Sequence, residues 1–503
     1  MLLALFPLLV QTPVRVEIDA TRSTPISPYI YGVNFPDWGK MGRLFTVARQ
    51  GGNRMTAYNW ETNASNAGSD FHHQNDGYMG ESNEPGWTVR TFMDAAQKKG
   101  AVPLLTIQMA GYVSADKNGD GDVNKTPDYL SKRFHPIKTN KGAAAAFPPD
   151  SKDGVVFADE FVTWVEKTRA ESPPVWYLFD NEPDLWHSTH ARIHPEPVTL
   201  REIIDKSKEF CTMIKRVAPG ALTLAPGNYG FMGFTTLQGA KDLGQRHFID
   251  AYLLAMRDAE KQSGKRLLDV LDVHWYPEAK GGGVRVAWGE DKPGTAEARI
   301  QAPRSLWDPT YVEDSWIADY LGKKPIVLLP DLQRRINKSY PNTKLAITEY
   351  DFGGGNHVSG MLAQADVLGI FGREGVFTAC MFGLEPEDKA QLAGFRAFRD
   401  YDGKGSTFAD RALRVSGVDP ATASVYAALD RKNTRRMTVV VINKVARPQV
   451  FELEFKGFSA QSGRAWVMDS SQGFTAQPKE VSGGRVATPP LSVTTIELGH
   501  EAE

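Results

Sequence analysis

Two glutamates stand where an apolar run gives way to a loop. Phe179-Asp180-Asn181-Glu182-Pro183 follows the run that begins at Val175, and Ile347-Thr348-Glu349-Tyr350 closes the run that begins at Leu345. A facing pair of carboxyls can cleave an acetal, because one protonates the departing oxygen while the other meets the oxocarbenium-like carbon. At a separation of ~5–5.5 Å the second attacks directly, and the product keeps its configuration. Mutual repulsion and unequal burial push the two pKa values apart, so Glu182 reads as the acid/base and Glu349 as the nucleophile. Asn181 reads as a hydrogen-bond partner for a sugar 2-hydroxyl. Tyr276 and Arg54 read as donors that hold Glu349 ionised, and His274 as a further hydrogen-bonding group. The tripeptide alone is a weak signal. Asn83-Glu84-Pro85 repeats it inside a polar, glycine-rich stretch that leads into a helical pattern, and that copy reads as a turn.

Such residues need a scaffold that brings strand ends to one mouth. Short apolar or β-branched runs at 29–35, 53–59, 102–109, 175–180, 222–225, 270–276, 345–350 and 377–382 alternate with longer stretches of helical periodicity, among them 89–99, 157–169, 200–217 and 358–371. Eight such strands close a parallel barrel with an outer ring of helices, and in that fold functional residues collect at the C-terminal ends of the strands. The fold class is therefore α/β, a (β/α)8 TIM barrel over 28–411. After about residue 411 the pattern changes to strict alternation, at 437–443, 450–455 and 491–498, which predicts a smaller all-β sandwich. Residues 14–18 alternate likewise, so 13–27 plus 412–503 are assigned to the sandwich domain.

The 503 residues carry 58 Lys and Arg against 60 Asp and Glu, a net charge of -2 that gives no field for nucleic acid or an anionic membrane. A neutral partner fits better. Cys211 and Cys380 are the two cysteines, which excludes a disulfide framework. The first ten residues, nearly all apolar, resemble the core of a secretory signal, so 1–12 is assigned as a candidate signal-peptide remnant and the protein is expected to be secreted. Trp60, Trp186 and Trp275 lie beside the chemical motifs and read as flat platforms for sugar faces.

The motifs in their order resemble glycoside hydrolase family 44. The segments that carry the likeness are Gly51-Gly-Asn-Arg-Met-Thr-Ala-Tyr-Asn-Trp-Glu-Thr-Asn-Ala-Ser-Asn-Ala-Gly-Ser-Asp70, Asp180-Asn-Glu-Pro-Asp-Leu-Trp-His-Ser-Thr-His190, Asp272-Val-His-Trp-Tyr-Pro277 and Thr348-Glu-Tyr-Asp-Phe-Gly353. The resemblance implies an endo-acting β-1,4-glucanase, in a family whose members act on cellulose derivatives, mixed-linkage glucan, xyloglucan, xylan or mannan. It implies a plant cell-wall polysaccharide as partner, a monomer, no cofactor for catalysis, and Glu182 and Glu349 as the catalytic pair. A non-catalytic polysaccharide-binding barrel and an exo-acting glycosidase remain as alternatives, because loop shape decides between groove and pocket.

The resemblance also implies a structural calcium. Asp116, Asn118 and Asp120, followed by Gly121, match the start of a calcium loop, although Pro127 stands where that loop needs a bidentate Glu. Glu61, Asp153 and Asp159 are rival carboxylates.

Overall fold

The computed structural model describes residues 12–460, 462–482 and 484–499. The candidate signal segment lies outside them but for its last residue. Eight parallel strands close a barrel in chain order: Tyr29–Asn34, Val47–Gln50, Val102–Ile107, Trp176–Phe179, Thr223–Tyr229, Val270–Trp275, Lys344–Tyr350 and Thr378–Met381. They are short and almost wholly buried because both faces are covered, one by the lumen and one by helices. Inward-facing Val47, Leu104, Leu178, Leu224, Val270, Ala346 and Cys380 share one apolar cluster that plugs the lumen. Two residues further along each strand the same face reappears, nearer the mouth. That rule sends Arg49, Asp272 and Thr348 into the layer above the plug.

Two strands differ from their sequence expectation. The second is Val47–Gln50, while Asn53–Thr56 is a single helical turn beyond it. Arg49 interrupts the apolar run and hides the strand, whereas Met55, Ala57 and Tyr58 are apolar because the following loop is buried too. The fifth runs on to Tyr229, past Pro226 and Gly227, where the register slips by one residue against the sixth. Proline and glycine mark a bulge there, not a strand end.

The sandwich domain is built from nine strands in one hydrogen-bonded order. Gln477–Ser482, Ser462–Met468, Ser492–Gly499, Met437–Asn443, Ala423–Leu429, Arg411–Ser416, Val14–Pro25, Gln449–Lys456 and Arg485–Thr488 follow one another, and the two ends of the order approach each other. The fold encloses its own core, which includes Val16, Ile18, Val439, Val441, Phe451 and Ile496. Val14–Pro25 enters the sheet before the barrel begins, antiparallel to Arg411–Ser416 and parallel to Gln449–Lys456.

Helix Val358–Glu374 is buried almost along its whole length because it lies between barrel and sandwich. Its Asp366 forms a 2.7 Å ion pair with Lys444, both side chains 1% exposed, and accepts a 2.6 Å hydrogen bond from the Tyr426 hydroxyl. Gly369 admits the Tyr426 ring: an added Cβ would come within 2.3 Å of it. Removing one member of a buried pair leaves the other uncompensated, at a cost of about 3–5 kcal/mol. Lys444→Met is therefore expected to lower the unfolding free energy by about that amount in denaturant titration. Activity of the folded fraction should be unchanged.

Candidate active site

The fourth strand ends at Phe179, and Asp180 organises the turn that follows. Its carboxylate, fully buried, accepts from the Thr56 hydroxyl, from the Met109 and Ala110 amides and from the Asn181 amide. Both Asp180 and Glu182 adopt positive φ, 59° and 43°, a conformation unfavourable for side chains with a Cβ. The Glu182 amide donates to the Gly227 carbonyl at 3.1 Å, which ties the turn to the bulged fifth strand. These bonds turn the Glu182 side chain over the lumen.

The seventh strand reaches the same point by a bulge. Val273 pairs with Ile347 and His274 with Glu349, so Thr348 is the extra residue. A bulge lets two consecutive side chains leave from one face. Both Thr348 and Glu349 consequently meet groups at the barrel axis: Thr348 reaches Asp272 and His274, and Glu349 reaches Arg49 and Tyr276. The sixth strand needs no bulge, since Asp272, His274 and Tyr276 climb the axis by simple alternation.

One Glu182 oxygen, one Glu349 oxygen and a His274 ring nitrogen lie within 4.8 Å of one another. Arg49, with no exposed surface, donates to Glu349 Oε1 at 2.5 Å, to Asn34 Oδ1 at 2.9 Å and to Asn181 Oδ1 at 2.9 Å. Tyr276 donates its hydroxyl to Glu349 Oε2 at 2.8 Å. His274 Nδ1 sits 2.8 Å from Glu182 Oε1 and 3.5 Å from Glu349 Oε2.

The two carboxyls are pushed in opposite directions. Burial, then the nearby Glu349 and Asp184, hold the Glu182 pKa well above the usual carboxylate range. Burial acts on Glu349 too, but it is outweighed and its pKa falls below the ordinary value. An imidazolium at His274 would contribute to that fall. Yet burial drops the His274 pKa to about 3, so the ring is neutral and the charge and hydrogen bond of Arg49, with the Tyr276 hydroxyl, carry the effect. The resting site thus holds an acid beside an anion.

The structure brings Glu182, Glu349, Asn181, Tyr276 and His274 together. It does not bring Arg54, whose guanidinium lies 3.6 Å over the Tyr78 ring and 3.9 Å from Asp76. Arg49 makes the contact assigned to Arg54, because the second strand lies six residues earlier than its sequence expectation. Gly51 was a legible sign: an added Cβ there would come 2.3 Å from Arg49 Cζ.

Trp60, Trp186 and Trp275 are 1%, 0% and 1% exposed and are not platforms. Trp275 alternates outward between His274 and Tyr276 and packs on Phe234, Trp60 lies against Phe161 and Trp164, and Trp186 against His194. Sequence adjacency to a motif on a strand places a side chain on the opposite face. An exposed ring that sequence reasoning missed is Trp288, 48% exposed, its centroid 4.9 Å from that of Tyr276 at a 39° tilt and with Arg285 over its face.

The Asp116 loop does not suit a calcium ion. Arg133 donates to Asp116, Asp120 and the Asn118 carbonyl, so a guanidinium occupies the cation position among the three proposed ligands. Asp159 is likewise engaged, by Arg216 and the Lys141 amide. Glu84 behaves as the turn residue its context implied, chelated at the surface by Arg90.

The sequence model described as glycoside hydrolase family 44 matches residues 64–279. Beta-mannanase/endoglucanase A of Caldicellulosiruptor saccharolyticus is 41% identical over 495 residues, 89% of this chain, and endoglucanase A of Paenibacillus lautus is 40% identical over 466 residues, also 89%. The chain spans 36% of the length of the first and 66% of the second. A family 44 endoglucanase from Clostridium thermocellum superposes with a TM-score of 0.90 at 42% identity, covering 96% of this chain and 99% of that one. A family 44 xyloglucanase from Paenibacillus polymyxa, solved with xyloglucan, gives a TM-score of 0.90 at 39% identity over 97% and 99%.

The two arginines separate in a simple experiment. Arg49→Ala removes the charge-assisted donor from Glu349 and is expected to lower kcat by about 10²–10³-fold, as loss of a preorganised donor does. Arg54→Ala should leave kcat within a few-fold. Steady-state kinetics on a soluble polysaccharide reads both.

Proposed function

The chain belongs to glycoside hydrolase family 44, and we propose that it is a retaining, endo-acting hydrolase of internal β-1,4 linkages in cellulose-type glucans. The observation that carries this reading is the Glu182–Glu349 pair, with oxygens no more than 4.8 Å apart and pKa values moved in opposite directions. That spacing falls short of the ~6.5–9.5 Å by which inverting enzymes separate their carboxyls to seat a nucleophilic water, and it suits direct attack. Glu349, ionised by Arg49 and Tyr276, attacks the anomeric carbon and forms a glycosyl ester as Glu182 protonates the leaving oxygen. Glu182 then takes a proton from water, which attacks the same carbon and releases Glu349. Asn181, braced by Arg49 and Asn53, is the partner proposed for the 2-hydroxyl.

Exposed rings favour a track over a pocket. Trp288 stands on the loop after the sixth strand and Tyr78, 73% exposed, on the loop after the second, diametrically across an eight-stranded mouth. A chain crossing between them would be cut internally. Xyloglucan, xylan and mannan are further candidate substrates, in keeping with the names of the relatives. A cell-wall polymer is met outside the cell, which suits secretion.

Of the calcium candidates, Glu61 and Asp153 remain. Glu61 is 4% exposed, and burial, then Asp153 and Glu160, pushes its pKa up to about 8. Among the described residues no hydrogen bond reaches its carboxylate. A calcium ion held by these two oxygen donors would supply the missing positive charge and tie the loop after the second strand to the segment before Val156.

Hydrolysis of carboxymethylcellulose, xyloglucan, xylan and mannan by wild type, Glu182→Ala and Glu349→Ala tests the mechanism, with product anomers followed by NMR. Both variants should lose nearly all activity and wild type should first release the retained anomer. Full activity in Glu349→Ala, or initial inversion, overturns the reading. For the metal, calcium should raise Tm relative to chelator in wild type but not in Glu61→Gln. Since the metal-free Glu61 carboxyl ionises near pH 8, the apparent affinity should rise as pH rises through that value.

A further inference from the structure

Behind Glu182 runs a chain of hydrogen bonds that ends on a carboxyl with no part in the reaction above. Asp272, wholly buried on the sixth strand, accepts from the Thr348 amide at 3.1 Å and from the Thr348 hydroxyl at 2.7 Å. Thr348 Oγ1 lies 3.2 Å from His274 Nε2, and His274 Nδ1 lies 2.8 Å from Glu182 Oε1. Alternation from Ala346 carries Thr348 into this line, and the bulge in the seventh strand brings Glu349 in beside it.

The hydrogens on the chain are fixed by counting. The Thr348 hydroxyl has one proton, and an ionised carboxylate is its stronger acceptor. With that proton on Asp272, Oγ1 can only accept, so Nε2 must donate. A neutral imidazole has a single N–H, and Nδ1 is then bare. A bare nitrogen 2.8 Å from a carboxylate oxygen is repelled, whereas a carboxylic acid O–H at that distance forms a hydrogen bond. We propose that Asp272 is a positioning residue that, through Thr348, fixes His274 in its Nε2–H form and so keeps the proton on Glu182.

A second arrangement carries the same protons and the same charge. Asp272 is protonated and donates to Thr348, Thr348 donates to Nε2, and Nδ1–H donates to a Glu182 carboxylate. Each proton moves across one hydrogen bond, and no co-reactant is needed. Asp272 and Glu182 thus share one proton. Burial lifts Asp272 to about 7, against Arg49 and the Thr348 bonds, with Glu349 adding to the rise and Cys380 also facing it. Glu182 is faced by Glu349, Asp184, Asp70, Arg49, His274, Tyr276 and Tyr229 and has an oxygen within 4.8 Å of the Glu349 anion, whereas an Asp272 anion accepts two hydrogen bonds from Thr348, so the proton rests on Glu182.

The inference rests on Glu182 as acid/base, and Asp272→Asn tests it separately. Asn Oδ1 can keep the Thr348 amide, while its NH2 donates to Oγ1, turns the Thr348 proton to Nε2 and forces the Nδ1–H ring. The proton on Glu182 is then no longer held. At pH 8, 15N NMR should report Nε2–H at His274 in wild type and Nδ1–H in Asp272→Asn. The basic limb of the kcat/KM profile should move down by about one pH unit or more, a tenfold loss at a pH on that limb, with the acid limb in place. Dinitrophenyl glycosides, whose leaving group departs without a proton, should lose far less. Thr348→Val should move the limb the same way and Thr348→Ser should restore it, which covers an Asp272→Asn that fails to fold. An unmoved limb with the Nε2–H ring retained, or equal losses on both substrates at every pH, overturns the inference. A wild type without hydrolytic activity overturns the proposed function instead, and the NMR measurement still reads the ring.

Discussion

The buried Arg49–Glu349 ion pair is the constraint on which the barrel mouth is organised. A guanidinium with no exposed surface is tolerated only where anions and acceptors meet it, since the desolvation cost exceeds what one poor contact returns. Here Glu349, Asn34 and Asn181 meet it directly, and Asp272 lies near enough to raise its pKa further. Once Arg49 is set, Glu349 must be the ionised member of the pair. Glu182, pressed against that charge and against Asp184, must then be the protonated one. The chemical asymmetry of two identical side chains follows from where a single cation sits.

That cation sits there because of strand geometry. Alternation along the second strand carries Val47 into the lumen plug and Arg49 into the layer above it, and Gly51 leaves room for the head group. On the seventh strand alternation from Ala346 brings Thr348 to the axis and alone would turn Glu349 away. The bulge brings Glu349 in beside it. The irregularity in the sheet is therefore what gives the nucleophile its position without displacing the hydrogen-bonded support of the acid.

The parts of this arrangement that obey a simple period were legible in the sequence. Seven of the eight barrel strands, the glutamates at the ends of the fourth and seventh, and Tyr276 on the inward face of the sixth could all be read from apolar runs, alternation and their end points. The fold class followed, as did the turn at Glu84. What escaped depended on breaks in periodicity. Arg49 interrupts the short apolar run of Val47–Gln50 and hides that strand, so its role was assigned to Arg54. Trp275 was counted with its neighbours in sequence, although a strand puts neighbours on opposite faces. The Asp116 loop has the spacing of a cation site, and only the distant Arg133 reveals that the cation is a side chain.

Under the proposed double displacement the charge on the pair is conserved at every stage. In the resting site Glu349 is the anion and Glu182 is neutral. When Glu349 becomes an ester it loses its charge, and in the same step Glu182 has given up its proton and gained one. The charge has moved within a 4.8 Å cluster, so Arg49 is never left without an anion nearby. The exchange also retunes the acid. The repulsion that raised the Glu182 pKa came in part from ionised Glu349, and it vanishes with the ester, so Glu182 becomes less basic just when it must persist as a carboxylate and wait for water. Hydrolysis of the ester restores the repulsion and with it the affinity of Glu182 for the proton it has taken. A buried pair around one fixed cation is thus sufficient to make a single side chain alternate between acid and base without any movement of the backbone.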